Sequence, residues 1–263
     1  MKSGLKTVLA ELKKVDETNI TSVFVPSKAD YVNYKPLTMQ HQKTIIKTAL
    51  DPSATNIDFN IGINNILTSI ATDYEILVSD KPAVLIALRA TNVDKNINVE
   101  HEDKTISVNL NSILSKYNTL HEETKVHYTK KITHNDITVK LRVPTLNVDT
   151  RFMKECKIYI KKTTTPEDIS GNIGEMYVYE VAKFIDCVQH TTFSESQSGK
   201  VVNTVLFDQS DVKDCINIVE LLPMKINKQI SSYITSIRAE ENKYASVKPG
   251  VDIPTDATLF AID

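Results

Sequence analysis

The six residues Ala83-Val84-Leu85-Ile86-Ala87-Leu88 leave a helix no polar face at any angle. They follow Ser79-Asp80-Lys81-Pro82, a helix start in which proline is tolerated because its missing N–H has no partner in a first turn anyway. Arg89 comes next, where the helix dipole favours a cation. A helix that is apolar all round has to be buried among its neighbours, so the rest of the chain must cover it. With 263 residues, 41% of them hydrophobic, the chain is long enough to do so without disulfides or metals. That length admits one large domain or two small ones.

The covering elements can be read from periodicity and punctuation. Leu5, Val8, Leu9 and Leu12 predict a short amphipathic helix within Met1–Glu17, resting either on a partner or on its own domain. Ile20–Val25 and Tyr31–Tyr34 read as strands around a Pro26–Asp30 turn, and Pro36 ends the second. Thr38 is an N-cap for a helix reaching Leu50, stopped by Asp51-Pro52. A further helix is expected over Asn60–Ala71.

From Asn96 to Pro144 the period drops from about 3.6 to 2. Ile97, Val99, Ile106, Val108 and Leu110 alternate around the tip His101–Lys104, and Ile132 faces Ile137, Val139, Leu141 and Val143 across His134-Asn135-Asp136. Helical spacing then returns over Thr150–Lys161 and Pro166–His190, the latter with a stripe of Ile173, Met176, Tyr177, Val181, Phe184, Ile185 and Val188. Thr191–Asn203, polar and Ser-rich, reads as a loop. Ser210 or Asp211 caps a helix through Leu222, and Ile226, Ile230, Tyr233, Ile234 and Ile237 mark one face of a last helix. The expected fold is α+β, mainly helical, with an N-terminal β-hairpin and a small antiparallel β insertion. Three regions are expected: 1–95, 96–145 and 146–263.

Charge and motifs narrow the function. A net charge of −2 gives no basic footprint, so nucleic acid is not expected as a partner. No run approaches the ~18 apolar residues of a membrane span, and Met1–Lys14 lacks the apolar core of a secretory signal. Three cysteines (Cys156, Cys187, Cys215) point to free thiols in a reducing cytoplasm. Six glycines without close spacing leave no phosphate loop, and no nucleophile elbow occurs. Cys187 and His190 form a C-x-x-H pair expected at a helix end, but a structural zinc needs about four ligands and no C-x-x-C supplies the rest. No cofactor and no metal are expected. The competing reading is a small cytosolic enzyme using a Cys/His site, which requires those residues to converge in space.

Three ordered segments resemble the T4-like bacteriophage baseplate family, which includes the baseplate hub subunit and the hub assembly protein. The first is Val25-Pro26-Ser27 with Tyr34-Lys35-Pro36-Leu37-Thr38 and the helix from Met39. The second is the Asp80–Arg89 helix, and the third is Ile218-Val219-Glu220-Leu221-Leu222-Pro223 with Leu259-Phe260 near the C-terminus. The resemblance implies a non-enzymatic protein that binds other tail and baseplate hub chains, in the host cytoplasm during assembly and in the virion tail. It leaves room for a homo-oligomer. Two regions are expected to touch partners: Pro26, Lys35 and Leu37 around the turn and strand end, and Leu259 and Phe260 in the apolar tail. The tail either enters a partner's groove or folds back on its own core.

Overall fold

A computed structural model describes residues 5–8, 11, 20–51, 54–102, 104–123, 127–160, 165–194, 199–255 and 259. In chain order its elements are β1 (Thr21–Val25), β2 (Asp30–Tyr34), α1 (Met39–Leu50), α2 (Asn56–Ile70), a 3-10 turn over Val78–Asp80, α3 (Lys81–Asn92), β3 (Asn96–His101), β4 (Lys104–Asn109), α4 (Leu110–Leu114), α5 (Tyr117–Glu123), β5 (Thr129–His134), β6 (Ile137–Arg142), α6 (Leu146–Tyr159), α7 (Pro166–Lys183), β7 (Ile185–Ser194), β8 (Gly199–Leu206), α8 (Val212–Leu221), α9 (Met224–Ala245), β9 (Ser246–Lys248) and β10 (Val251–Asp252). Helix at 55% against strand at 25% makes this the expected α+β, mainly helical fold with an N-terminal hairpin and small antiparallel sheets. Of the first expected helix, residues 5–8 are helical with Leu5 and Val8 exposed, and most of the remainder lies outside the described residues.

The chain packs as two units, Met1–Lys125 with Glu241–Asp263, and Val126–Glu240. In the first unit α3 behaves as its sequence requires: every residue from Pro82 to Arg89 is buried. Strand β1 pairs antiparallel with β2 in the register Val23↔Val32, and α3 packs on β1. Val23, Val25, Val32 and Tyr34 fill the space beside it. Thr38 caps α1: its hydroxyl accepts from the His41 N–H, and His41 Nδ1 accepts from the Thr38 N–H at 3.1 Å. Thr38→Ala removes that reciprocal pair and lowers stability by about 1 kcal/mol, readable as a shift of the urea midpoint.

In the second unit β5, β6, β7 and β8 form one antiparallel sheet in sequence order. Helices α6, α7 and α8 pack together, and Phe152, Val181, Phe184, Phe207 and Cys215 are buried in this unit. The β5–β6 hairpin turns at Asn135, whose φ of 52° suits the left-handed tolerance of asparagine in a two-residue loop.

Within residues 96–145, β3 and β4 make a two-stranded sheet in the first unit, while β5 and β6 join the four-stranded sheet of the second. Two expectations need correction. The helix from Pro166 ends at Lys183, not His190: Ile185 pairs with Leu141 and Val188 with Val139, so sheet pairing overrides the helical spacing. Within Thr191–Asn203, expected as a loop, the described residues 191–194 and 199–203 are strand, with Thr192 opposite Val201 and His190 opposite Asn203. The β6–β7 pairing ends at Ile137 opposite His190, so these residues pair beyond the end of β6, and Thr192 and Asn203 are exposed.

Candidate docking surfaces

The first two family-like segments meet at one buried carboxylate. Asp80 stands at the start of α3 with no exposed surface, yet its side chain makes no cap to that helix. It accepts instead from the Ser27 N–H at 2.9 Å, the Ser27 hydroxyl at 2.7 Å, the Tyr74 hydroxyl at 2.8 Å and the Leu77 N–H at 3.2 Å. Burial raises the Asp80 carboxyl above its ordinary value, and the donors from Ser27, Tyr74 and Leu77 counter only part of that. Burial and the nearby Asp80 together push the Tyr74 phenol well up. Lys28 lies 4.3 Å over the Tyr74 ring and covers the cluster.

The other end of α3 takes up backbone groups of Leu37 and Leu259. The Leu37 N–H donates to Asn92 Oδ1 at 3.0 Å, and the Lys35 N–H donates to the Ile70 carbonyl at 2.8 Å. Arg89 donates from Nη1 to the Leu259 carbonyl. Of the residues expected to touch partners, Pro26 and Leu259 are buried within their own unit, Leu37 is half-buried and Lys35 is exposed. Phe260 lies outside the described residues.

The second unit carries its own buried ions. Lys183 reaches Asp149 Oδ1 at 2.6 Å and Glu180 Oε2 at 2.5 Å, and Glu180 Oε1 accepts from Arg238 at 2.6 Å. Burial alone would lower the Lys183 ammonium, but Glu180 and Asp149 outweigh it and hold it above its ordinary value. All three cysteines are buried, and burial pushes the Cys156 and Cys215 thiols up to about 11, away from the thiolate a nucleophile needs. Cys187 and His190 sit on β7, not on a helix, and three positions along a strand point to opposite faces. Among the described residues no group of three or more His, Cys, Asp or Glu side chains is placed to hold a metal, and no helix is long and apolar enough to cross a membrane.

Helix α7 also presents an open surface. Of its stripe Val181 is buried, whereas Ile173, Met176 and Tyr177, together with Ile169 one turn before them, are between 47% and 63% exposed. These four stand at i, i+4, i+7 and i+8, a single helical face. The Tyr177 hydroxyl bonds Ser231 at 2.6 Å, which holds its half-exposed ring in place. A Cβ on Gly171 or Gly174 of the same helix would meet no atom within 4 Å. Isolated exposed apolar residues are ordinary, but four on one face form a patch of the kind used for association. The spacing of the last three was visible in the sequence; that no described residue covers this face was not.

This is an α+β chain with its three thiols buried and an apolar face of α7 in solvent. The family model described as T4 bacteriophage base plate protein matches residues 17–240, most of the length, and the chain belongs to that family. No curated protein and no solved structure matches it.

Proposed function

We propose that this chain is a component or assembly factor of the baseplate hub in a contractile phage tail, working by protein–protein binding without catalysis. The observation that carries the reading is the α7 face of Ile169, Ile173, Met176 and Tyr177. Its occupant is another chain of the baseplate, since family membership makes the tail this protein's setting. Large apolar and aromatic side chains on one rigid helix are the usual anchors of such contacts. The exposed Lys35 and half-buried Leu37 offer a second contact region on the first unit. Pro26 and Leu259 are buried within the first unit, so substituting Leu259 tests the fold before it tests docking. The protein acts in the host cytoplasm during assembly and stays with the virion tail if it is a permanent part.

The double variant Ile173→Asp with Met176→Asp tests the reading. It should stay folded by circular dichroism, because both positions are exposed, and should be lost from hub intermediates and tails recovered from infected cells. Normal incorporation and phage yield with this variant would overturn the α7 assignment. Mass spectrometry of purified tails then separates a permanent part, which remains, from an assembly factor, which is absent.

A further inference from the structure

The four-stranded sheet treats its two edges differently. Edge strand β5 carries Lys130 and Lys131, both exposed, and charge of this kind blocks pairing with another strand. Edge strand β8 has no charged residue from Val201 to Phe207, and its register with β7 runs without a bulge. Val202, Val205 and Leu206 on it are exposed. A long, regular, uncharged edge is a template for a further strand.

The hydrogen-bond direction can be assigned. The Phe207 N–H donates to the Asp186 carbonyl, and the Thr191 N–H donates to the Asp136 carbonyl on the β6 side. In an antiparallel ladder successive residues turn their backbone groups to opposite sides. Val201, Asn203 and Val205 therefore bond to β7, while Val202, Thr204 and Leu206 direct their N–H and C=O groups outward. The Leu206 carbonyl is taken by the Gln209 N–H and the Ser210 hydroxyl. Among the described residues, nothing bonds the outward backbone groups of Val202 and Thr204.

From this edge we infer that two copies of this chain associate through antiparallel β8–β8 pairing about a two-fold axis at Asn203. The occupant is argued from the strand's own sequence. Val201-Val202-Asn203-Thr204-Val205 reads almost the same in both directions about Asn203, threonine and valine having the same shape. In that register Val202 exchanges its outward bonds with Thr204 of the second copy and Thr204 with its Val202. Val201 lies against the second copy's Val205, and Asn203 meets its symmetry mate. No like charges are brought together. This inference is independent of the α7 reading.

Sedimentation and cross-linking test it. The purified chain should show a concentration-dependent monomer–dimer equilibrium. Thr204→Pro deletes an outward N–H and the exposed hydroxyl that Gln189 reaches, neither of them part of the β7–β8 ladder, so it should leave the fold intact by circular dichroism and raise the dimer dissociation constant by about tenfold or more. Thr204→Lys places a charge inside the pairing register and should act in the same direction. Asn203→Cys brings two thiols together at a non-hydrogen-bonded pair, where Cα atoms lie about 4.5 Å apart, within disulfide range. With Cys156, Cys187 and Cys215 buried, mild oxidation should yield a covalent dimer through residue 203. The Ile173→Asp, Met176→Asp variant should dimerise normally. A chain that stays monomeric at the highest attainable concentration overturns the proposal. So does a dimer that Thr204→Pro and Thr204→Lys leave intact and Asn203→Cys fails to cross-link.

Discussion

Asp80→Ala should destabilise the first unit by about 3–5 kcal/mol, among the largest losses open to any single side chain in this protein. Its side chain accepts four hydrogen bonds, two of them from Ser27 across 53 residues of chain. Alanine leaves the Ser27 and Leu77 N–H groups without this acceptor and the Ser27 and Tyr74 hydroxyls only each other; a donor stranded away from water costs about 1–3 kcal/mol. The turn at Pro26-Ser27 is then no longer tied to the start of α3. Asp80→Asn should fall between wild type and alanine, because its amide oxygen still accepts while its NH2 opposes the donors.

The carboxyl also gives a pH signature. Its value in the fold is raised by burial, so the folded chain binds the proton at higher pH than the unfolded chain does. The stabilisation from that proton is complete below the ordinary carboxylate range and is lost as pH rises through the folded value. Urea midpoints measured across the acid range should show this limb in wild type and not in Asp80→Asn. If Asp80→Ala unfolds at the wild-type urea concentration, the cluster does not hold the unit together.

Asp80 also shows how far the sequence could be read. Its place at the start of α3 follows from local rules, since Asp-Lys-Pro before an apolar run is a helix entrance. Its partners do not follow, because Ser27 and Tyr74 reach it only through the tertiary fold. The same division runs through the chain. Thr38, the β1–β2 hairpin and the apolar α3 declare themselves within a few residues, where capping, turn chemistry and burial act. The end of α7 was misread because Ile185 and Val188 continue a helical stripe and leave it only to pair with β6. The extended character of Val205 and Leu206 was legible from their apolar run, but the strand residues up to Asn203 read as loop because Thr191, Thr192 and Asn203 are polar and pair beyond the end of β6. The α7 stripe divides into a buried and an exposed half for a related reason: hydrophobic spacing says which residues share a face, not what covers that face.

In the second unit, Lys183→Met should cost about 3–5 kcal/mol, because it leaves the buried Asp149 carboxylate without the ammonium 2.6 Å away. Glu180 keeps Arg238 as a partner, so most of the loss falls on Asp149. Adding Asp149→Leu should therefore restore much of the stability, since two buried charges replaced by apolar groups can match or exceed the ion pair. A loss that persists in the double variant would place the cost in packing around α7 rather than in an abandoned charge. The pH dependence runs opposite to a depressed carboxylate. Lys183 is raised in the fold because Glu180 and Asp149 outweigh its burial, so its stabilisation is complete below the ordinary lysine value and disappears as pH rises through the folded value. Alkaline unfolding of wild type should show that limb, and Lys183→Met with Asp149→Leu should lack it. An identical alkaline limb in the double variant would mean that another group governs it.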